Sequence, residues 1–323
     1  VDAQGKKMSK SGGNALEVEE LLKTNGADIC RWWVSSLKYT NDIKVDLEFF
    51  KVAGDEYRKV RNTIRFLLGN INDFDPAKDA VEFTDEDRYS LDAWAMSELS
   101  KFVKETKNAY ENLDYKKANE LIFHFCYETL SAVYLAAIKD RLYCEKDNGR
   151  KRRRSQTAMY HIVEALIKLL SPILVHTSDE AYRSLKNEDQ ETVDCVHLLE
   201  MPETIEMYAD PNWDKVMELR GKALKVLEDA KAADGISNPL DTGIIANIDH
   251  KAFIALKPFE FELADLCGVS RFTVNESETS AISVNDLSQE PRCERSWKRD
   301  GTVKERSNGA FLSDRDAEAL GID

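Results

Sequence analysis

Lys7-Met8-Ser9-Lys10-Ser11 puts two ammonium groups and two hydroxyls within five residues, between Gln4-Gly5-Lys6 and Gly12-Gly13-Asn14. Only Met8 offers an apolar anchor, so the stretch predicts a mobile, donor-rich loop. Glycines let backbone N–H groups approach a ligand closely, and ammonium groups neutralise phosphate charge. Such a loop suits triphosphate or pyrophosphate. A helix pattern beginning near Ala15 would aim its positive N-terminal end at the same spot. Two other basic groupings could meet phosphate. Arg58, Lys59, Arg61 and Arg65 crowd one length of a helical stretch, and their spacing leaves a solvated face and phosphate contact equally open. Arg150-Lys151-Arg152-Arg153-Arg154 is unbroken. Charges this dense repel unless something negative is near, so the run is a disordered tip or a backbone-binding patch, and nucleic-acid contact is the expectation.

Helices must hold these groups. Asn14 can cap one through Leu16, Val18, Leu21 and Leu22, closed by Asn25-Gly26. A second opens at Ala27-Asp28 and carries Trp32 and Trp33. Adjacent tryptophans cannot share one narrow stripe, so burial on more than one side is expected, with core packing favoured over substrate stacking. After a polar break at Asn41-Asp42, a long helix from about Asp46 repeats apolar residues three and four apart, from Leu47 to Ile71, as the seam of a helical bundle does. Further seams cover 91–113, 114–143 and 155–170, the last stopped by Pro172. Thr177-Ser178-Asp179-Glu180 has the spacing of a capping box. Asp210-Pro211 opens an amphipathic helix that runs to about Ala233. Beyond Gly235 the period changes: 242–248 and 270–274 alternate as strands do, while 258–266 looks helical. The expected class is mainly α, with the loop and connecting helices over 1–45, an all-α bundle over 46–205, and a helix plus small α+β domain over 206–323.

The 323 residues suffice for two or three domains, and 32% charged with 9% aromatic residues describes a soluble, helix-rich protein. No uninterrupted apolar run approaches a membrane span, and no secretory apolar segment is visible. A net charge of -14, from 45 basic and 59 acidic residues, argues against indiscriminate nucleic-acid binding but allows a concentrated basic surface. Cysteines 30, 126, 144, 195, 267 and 293 form no C-x-x-C pair, which predicts reduced thiols in a cytoplasmic setting.

The run from Lys7 to Ser11 resembles the KMSKS signature of class I aminoacyl-tRNA synthetases. Tyr57-Arg58-Lys59-Val60-Arg61-Asn62-Thr63-Ile64-Arg65-Phe66-Leu67-Leu68-Gly69-Asn70 resembles the anticodon-binding bundle of bacterial-type isoleucyl-tRNA synthetases. So do Leu130-Ser131-Ala132 and Lys139-Asp140-Arg141-Leu142-Tyr143. Ser171-Pro172-Ile173-Leu174 with 177–182 is similar to a hinge shared by the isoleucine, valine and leucine enzymes, and 219–240 to the start of the isoleucine enzyme's C-terminal region. The resemblance implies ATP-dependent activation of isoleucine, with Mg2+, and its transfer to tRNA(Ile), by a monomer without membrane attachment. Lys7 and Lys10 would meet ATP phosphates, Lys10 more directly. Ser9 and Ser11 would supply hydroxyl donors beside Met8. Arg58, Arg61, Arg65, the run from Arg150 to Arg154, and Arg295, Trp297 and Lys298 of the basic tail are the candidate tRNA contacts. An inserted editing domain would remove mischarged valine, because one methylene gives only about 1–3 kcal/mol of discrimination.

Two departures from the family pattern stand out. No His-x-Gly-His motif surrounds any of the histidines at 124, 161, 176, 197 and 250. The nucleotide-binding sheet, amino-acid pocket and editing domain are therefore expected to precede Val1, and the chain alone is expected to lack ligase activity. Many relatives also carry a C-terminal zinc site built from two C-x-x-C pairs. Cys293-Glu294-Arg295-Ser296 keeps one thiol, and Ser313-Asp314-Arg315-Asp316 keeps the spacing with none, so no structural zinc is expected. The competing readings are a freestanding tRNA-binding module without catalysis, which has no use for a phosphate-closing loop, and a valine- or leucine-specific relative.

Overall fold

The computed structural model describes all residues except 3, 41, 187–194, 207, 208 and 235. The break expected at Asn41 and the change of period at Gly235 thus lie outside the described residues. Helix α1 covers Val18–Asn25 and α2 Ala27–Ser35; Gly26 sits between them at φ 81°, and its N–H closes α1 on the Leu22 carbonyl. Helix α3, Leu47–Gly69, starts where the Asp46 side chain accepts the Glu48 amide. Helix α4 is Leu91–Glu111. Next, α5 (Tyr115–His124), a π-helical stretch (Phe125–Tyr134) and α6 (Leu135–Cys144) run on without a break. Helices α7 (Arg150–Leu170), α8 (Val175–Lys186) and α9 (Trp213–Asp234) complete the long elements. The chain is mainly α, as its periodicity predicts.

Strand β1, Thr242–Ile248, is followed by α10 (His250–Leu256), α11 (Glu260–Cys267), β2 (Arg271–Glu276) and β3 (Ala281–Asp286). Strand β1 lies between the other two, parallel to β2 with Ile244 opposite Phe272, and antiparallel to β3 with Ile244 opposite Val284. The tail is folded rather than loose: β4 (Lys304–Glu305) pairs with β5 (Phe311–Leu312), and α12 (Asp314–Leu320) follows. Cys293, Leu312 and Ala317 form its small core.

In space the chain divides into two units. The first comprises Val1–Asp73, Glu98–Ser131 and Met159–Glu206, the second Phe74–Ser97, Ala132–Ala158 and Met207–Asp323. In the first unit Val60, Ile64 and Leu67 of the α3 seam are buried. Phe102 stacks on Phe125 at 4.2 Å between ring centres. Trp32 is fully buried with its indole N–H donating to Glu56 at 3.0 Å, and Trp33 packs on Phe50, so core packing accounts for both tryptophans. In the second unit Trp213 and Tyr89 both meet the Phe259 ring edge-on or nearly so.

Three expected boundaries move, each for a tertiary reason. Helix α1 starts at Val18 because the Asn14 side chain is engaged by the preceding loop. The capping box at Thr177 is not used. Helix α8 begins earlier, and Asp28 of α2 accepts the amides of His176 (3.3 Å) and Thr177 (2.7 Å) together with the Thr177 hydroxyl (2.6 Å). Helix α7 begins at Arg150, so the basic run is its first turn and a half rather than a loop tip. The stretch Tyr115–Cys144 is long and apolar enough, by those criteria alone, to cross a membrane. Its Ile122, Phe125, Leu130, Tyr134 and Ile138 are instead buried in the protein.

Candidate phosphate loop and nucleic-acid interface

The loop is braced from below and bare above. Asp2 accepts the amides of Gln4 (3.1 Å) and Lys6 (2.8 Å) with one oxygen, and the Asn14 side-chain amide (2.8 Å) with the other. These bonds, that of Asn14 foremost, hold the Asp2 carboxyl below its ordinary range. The Asn14 carbonyl in turn accepts the Ser9 amide at 3.0 Å. Residues Lys10–Gly12 form a single 3-10 turn, capped by the Ser9 hydroxyl, which accepts the Gly12 amide at 3.1 Å. A Cβ at Gly12 would come within 2.8 Å of that hydroxyl oxygen, so a side chain there would push the Ser9 cap aside. Gly13, at φ 68°, ends it in left-handed backbone.

The candidate phosphate-binding side chains are left in water. Lys7, Lys10 and Ser11 are exposed and Met8 is half-buried. Among the described residues Lys7 has no carboxylate partner, and Lys10 has a loose one, Glu17 at 3.9 Å with both side chains largely exposed. Such a contact contributes little. Helix α1 opens at Val18 with Glu17 as an N-cap that makes no side-chain cap bond and with Glu19 and Glu20 in its first turn, so carboxylates rather than a ligand stand at its positive end. Lys7 and Lys10 put the positive charge on the loop's open side, and the Ser9 hydroxyl, named as a donor, here accepts the Gly12 amide.

On α3 the basic residues separate. Arg61 gives a two-pronged pair to Glu180 of α8, at 2.9 and 3.1 Å, and that carboxylate raises its guanidinium pKa. Arg58 pairs with Asp55 one turn back. Arg65 is exposed and meets no carboxylate among the described residues. Lys59 lies 4.0 Å from the Tyr127 ring centre and 5.5 Å from that of Phe123, and those two rings stack at 5.6 Å. Tyr127 is exposed. This cation-and-aromatic platform went unnoticed in the sequence because Phe123 and Tyr127 fall off the apolar seam. Their four-residue spacing was the available signal.

In the second unit the run from Arg150 to Arg154 is helical, which corrects the expectation of a disordered tip. Arg150, Lys151, Arg153 and Arg154 each meet a carboxylate, with Arg154 buried and Arg150 still exposed. Arg154 is 7% exposed and lies 2.5 Å from Asp87, 2.8 Å from Asp92 and 3.6 Å from Glu262. Arg150 grips Asp87 with both nitrogens, at 2.8 and 2.6 Å, holding that carboxyl well below its ordinary range. Lys151 reaches Asp265 at 3.3 Å. Arg152 donates to the carbonyls of Leu142 (3.0 Å) and Asp147 (2.8 Å), just where α6 ends. Arg153 meets Asp79 at 3.7 Å and Gln156 at 2.9 Å. Deeper still, the fully buried Arg141 bonds Glu262, Asp265 and Asp92. Burial opposes the charge on Asp92, yet Arg141 and Arg154 hold its carboxyl below the ordinary value. Two of the five acidic partners of these cations, Glu262 and Asp265, come from α11.

Two family descriptions match the chain. Residues 1–46 match tRNA synthetases class I (I, L, M and V), and residues 92–246 match the anticodon-binding domain of tRNA ligase. Isoleucine–tRNA ligase of Petrotoga mobilis is 38% identical over 311 residues, covering 93% of this chain and 33% of the relative. That of Carboxydothermus hydrogenoformans is 40% identical over 248 residues, covering 76% and 26%. That of Persephonella marina is 35% identical over 336 residues, covering 99% and 35%. The chain belongs to the isoleucyl-tRNA synthetase family. It spans about a quarter to a third of the length of these curated relatives.

In this synthetase chain the tail candidates also divide. Lys298 is bound between Asp140 (3.1 Å) and Asp265 (2.7 Å), which removes it from the free cations. Arg295 donates to the Tyr143 carbonyl at 3.1 Å and is half-buried. Trp297 is 57% exposed at φ 63°, with the Arg292 guanidinium over its ring at 5.8 Å. Left-handed backbone at a tryptophan is strained, and here it turns an indole outward. Of the tail groups named from sequence, Trp297 is the exposed one; Arg295 and Lys298 are half-buried.

Proposed function

We propose that the chain serves the ligation of isoleucine to tRNA(Ile), supplying the ATP loop and part of the tRNA grip of the full-length enzyme. In that reaction the isoleucine carboxylate attacks the α-phosphorus of ATP and the bond to pyrophosphate breaks. Lys10, assisted by Lys7, neutralises the charge gathering on the departing phosphates, while Ser11 and the backbone N–H groups around Met8 donate hydrogen bonds. Mg2+ arrives with ATP and offsets phosphate charge; no residue of this loop is assigned to it. The observation that supports this reading is the contrast within the loop, whose frame is tied to Asp2, Ser9 and Asn14 while both ammonium groups stand in water.

For tRNA, Arg65, with Arg58 and Arg61 beside it, sets register on phosphates. The Lys59–Phe123–Tyr127 platform and Trp297 offer faces on which unstacked bases can lie. Isoleucine specificity, monomeric action and residence in the cytoplasm belong to the same proposal, as does inactivity of the 323-residue chain by itself. The test is Lys10→Ala in the full-length enzyme. Adenylate formation should slow by about 10²–10³, with tRNA affinity within twofold of the parent. Equal loss of both would refute the assigned role, and ATP–pyrophosphate exchange by the isolated chain would refute its inactivity.

A further inference from the structure

The tail brings together the four positions that the family resemblance associates with zinc. Cys293 Sγ lies 2.9 Å from Asp316 Oδ2, and Ser296 Oγ lies 2.6 Å from the same oxygen. The Ser313 hydroxyl accepts the Asp316 amide at 3.2 Å as the cap of α12. The other Asp316 oxygen accepts Arg315 at 2.8 and 3.2 Å. Cys293 and Asp316 are both fully buried.

This set does not fit the ion. Tetrahedral zinc prefers thiolate or imidazole, and here one thiol and one carboxylate are joined by two hydroxyls. Zinc between a sulfur and an oxygen would hold them about 3.5 Å apart, given ordinary bond lengths. The observed separation is that of a direct hydrogen bond. The hydroxyl of Ser313 is already committed to its helix end. Among the described residues no group of three His, Cys, Asp or Glu side chains is placed to hold a metal.

We infer that this module is a metal-independent knuckle in which the buried carboxylate of Asp316 replaces the ion as the shared centre. The thiol of Cys293 and the hydroxyl of Ser296 donate to it, and Arg315 balances its charge. The centre is also tied outward, since Arg315 reaches Asp140 of α6 at 2.5 and 3.2 Å. Around it the Cys293 amide bonds the Lys298 carbonyl, the Glu294 amide the Phe311 carbonyl, and the Trp297 amide the Cys293 carbonyl, each at 2.9 Å. These amides report whether the knuckle is closed.

The experiment uses the full chain and amide hydrogen exchange at residues 293–298, alongside elemental analysis. Less than a tenth of an equivalent of metal, and protection unchanged by 1,10-phenanthroline, are expected. Cys293→Ser keeps a donor on Asp316 and should leave protection within about threefold. Asp316→Ala removes the centre and should lower protection by about 10- to 100-fold, the weight of hydrogen bonds to a charged group. Should Asp316→Ala unfold more than the knuckle, Ser296→Ala removes a single donor and should lower protection about 10-fold at the same amides. Stoichiometric zinc or iron whose removal exposes these amides would overturn the inference. So would full loss of protection in Cys293→Ser, or parental protection in Asp316→Ala.

Discussion

Arg154→Met separates a structural cation from an RNA-binding one. Methionine keeps much of the stem's volume and deletes the charge. The guanidinium it removes is 7% exposed and sits 2.5, 2.8 and 3.6 Å from Asp87, Asp92 and Glu262. None of the three carboxylates is left wholly bare: Asp87 keeps Arg150, Asp92 keeps the Tyr134 and Ser155 hydroxyls at 2.8 Å, and Glu262 keeps Arg141. Breaking a buried pair from one side costs about 3–5 kcal/mol, and these remaining partners put the cost at the low end, about 3 kcal/mol. Against a total stability of about 5–15 kcal/mol that is a large fraction, and for a unit of this size it lowers the melting temperature by roughly 6–12 °C. An exposed arginine on an RNA face behaves oppositely. Its removal changes stability by less than about 0.5 kcal/mol and cuts the slope of log affinity against log salt by about 0.7–0.9. The assay is thermal unfolding with tRNA binding at several salt concentrations, on Arg154→Met and on Arg65→Ala. Parental stability with a flattened salt slope in Arg154→Met would refute the structural assignment.

Asp28→Ala should expose the α8 end, raising amide exchange at His176 and Thr177 roughly 10-fold for a lost cap of about 1–2 kcal/mol; unchanged exchange would return the cap to the local Thr177 sequence. Acid should act on the second unit through Asp92, Asp140 and Asp316, whose carboxyls are held low by their cation and hydrogen-bond partners against the cost of burial. Because their folded pKa values are depressed, the stability they add is complete above the unfolded carboxylate value of about 4 and is lost progressively as pH falls through the folded values. Denaturant midpoints of this unit should be flat in that contribution from pH 7 to 5 and fall steeply below 4; a loss already complete at pH 5 would contradict this.

The helices were legible where local chemistry decides. Asp46 before a run spaced three and four apart gives α3, and the alternation from Thr242 to Ile248 gives β1 to the residue. The loop was legible because its identity lies in a contiguous run. What escaped depends on partners distant in the chain. Nothing near Arg150–Arg154 announces Asp87, Asp92, Glu262 or Asp265, so a run that is neutralised in space looks unpaired on paper. Asn14 suits a helix cap equally well until Asp2 and Ser9 claim it. Strand β3 alternates from Ala281 to Asp286 but carries only Ile282 and Val284 as an apolar face, too little to stand out. Helix α12 rests on a core of three residues drawn from both ends of the tail.

Arg141, Lys151 and Arg154 find Glu262 and Asp265 on α11, and Arg315 finds Asp140 on α6. A chimera grafting another synthetase's segment after residue 206 would strand those charges unless the donor brought acids to the same places. Exchange of this piece between lineages is thus gated by electrical matching, and its two sides are expected to have changed in step.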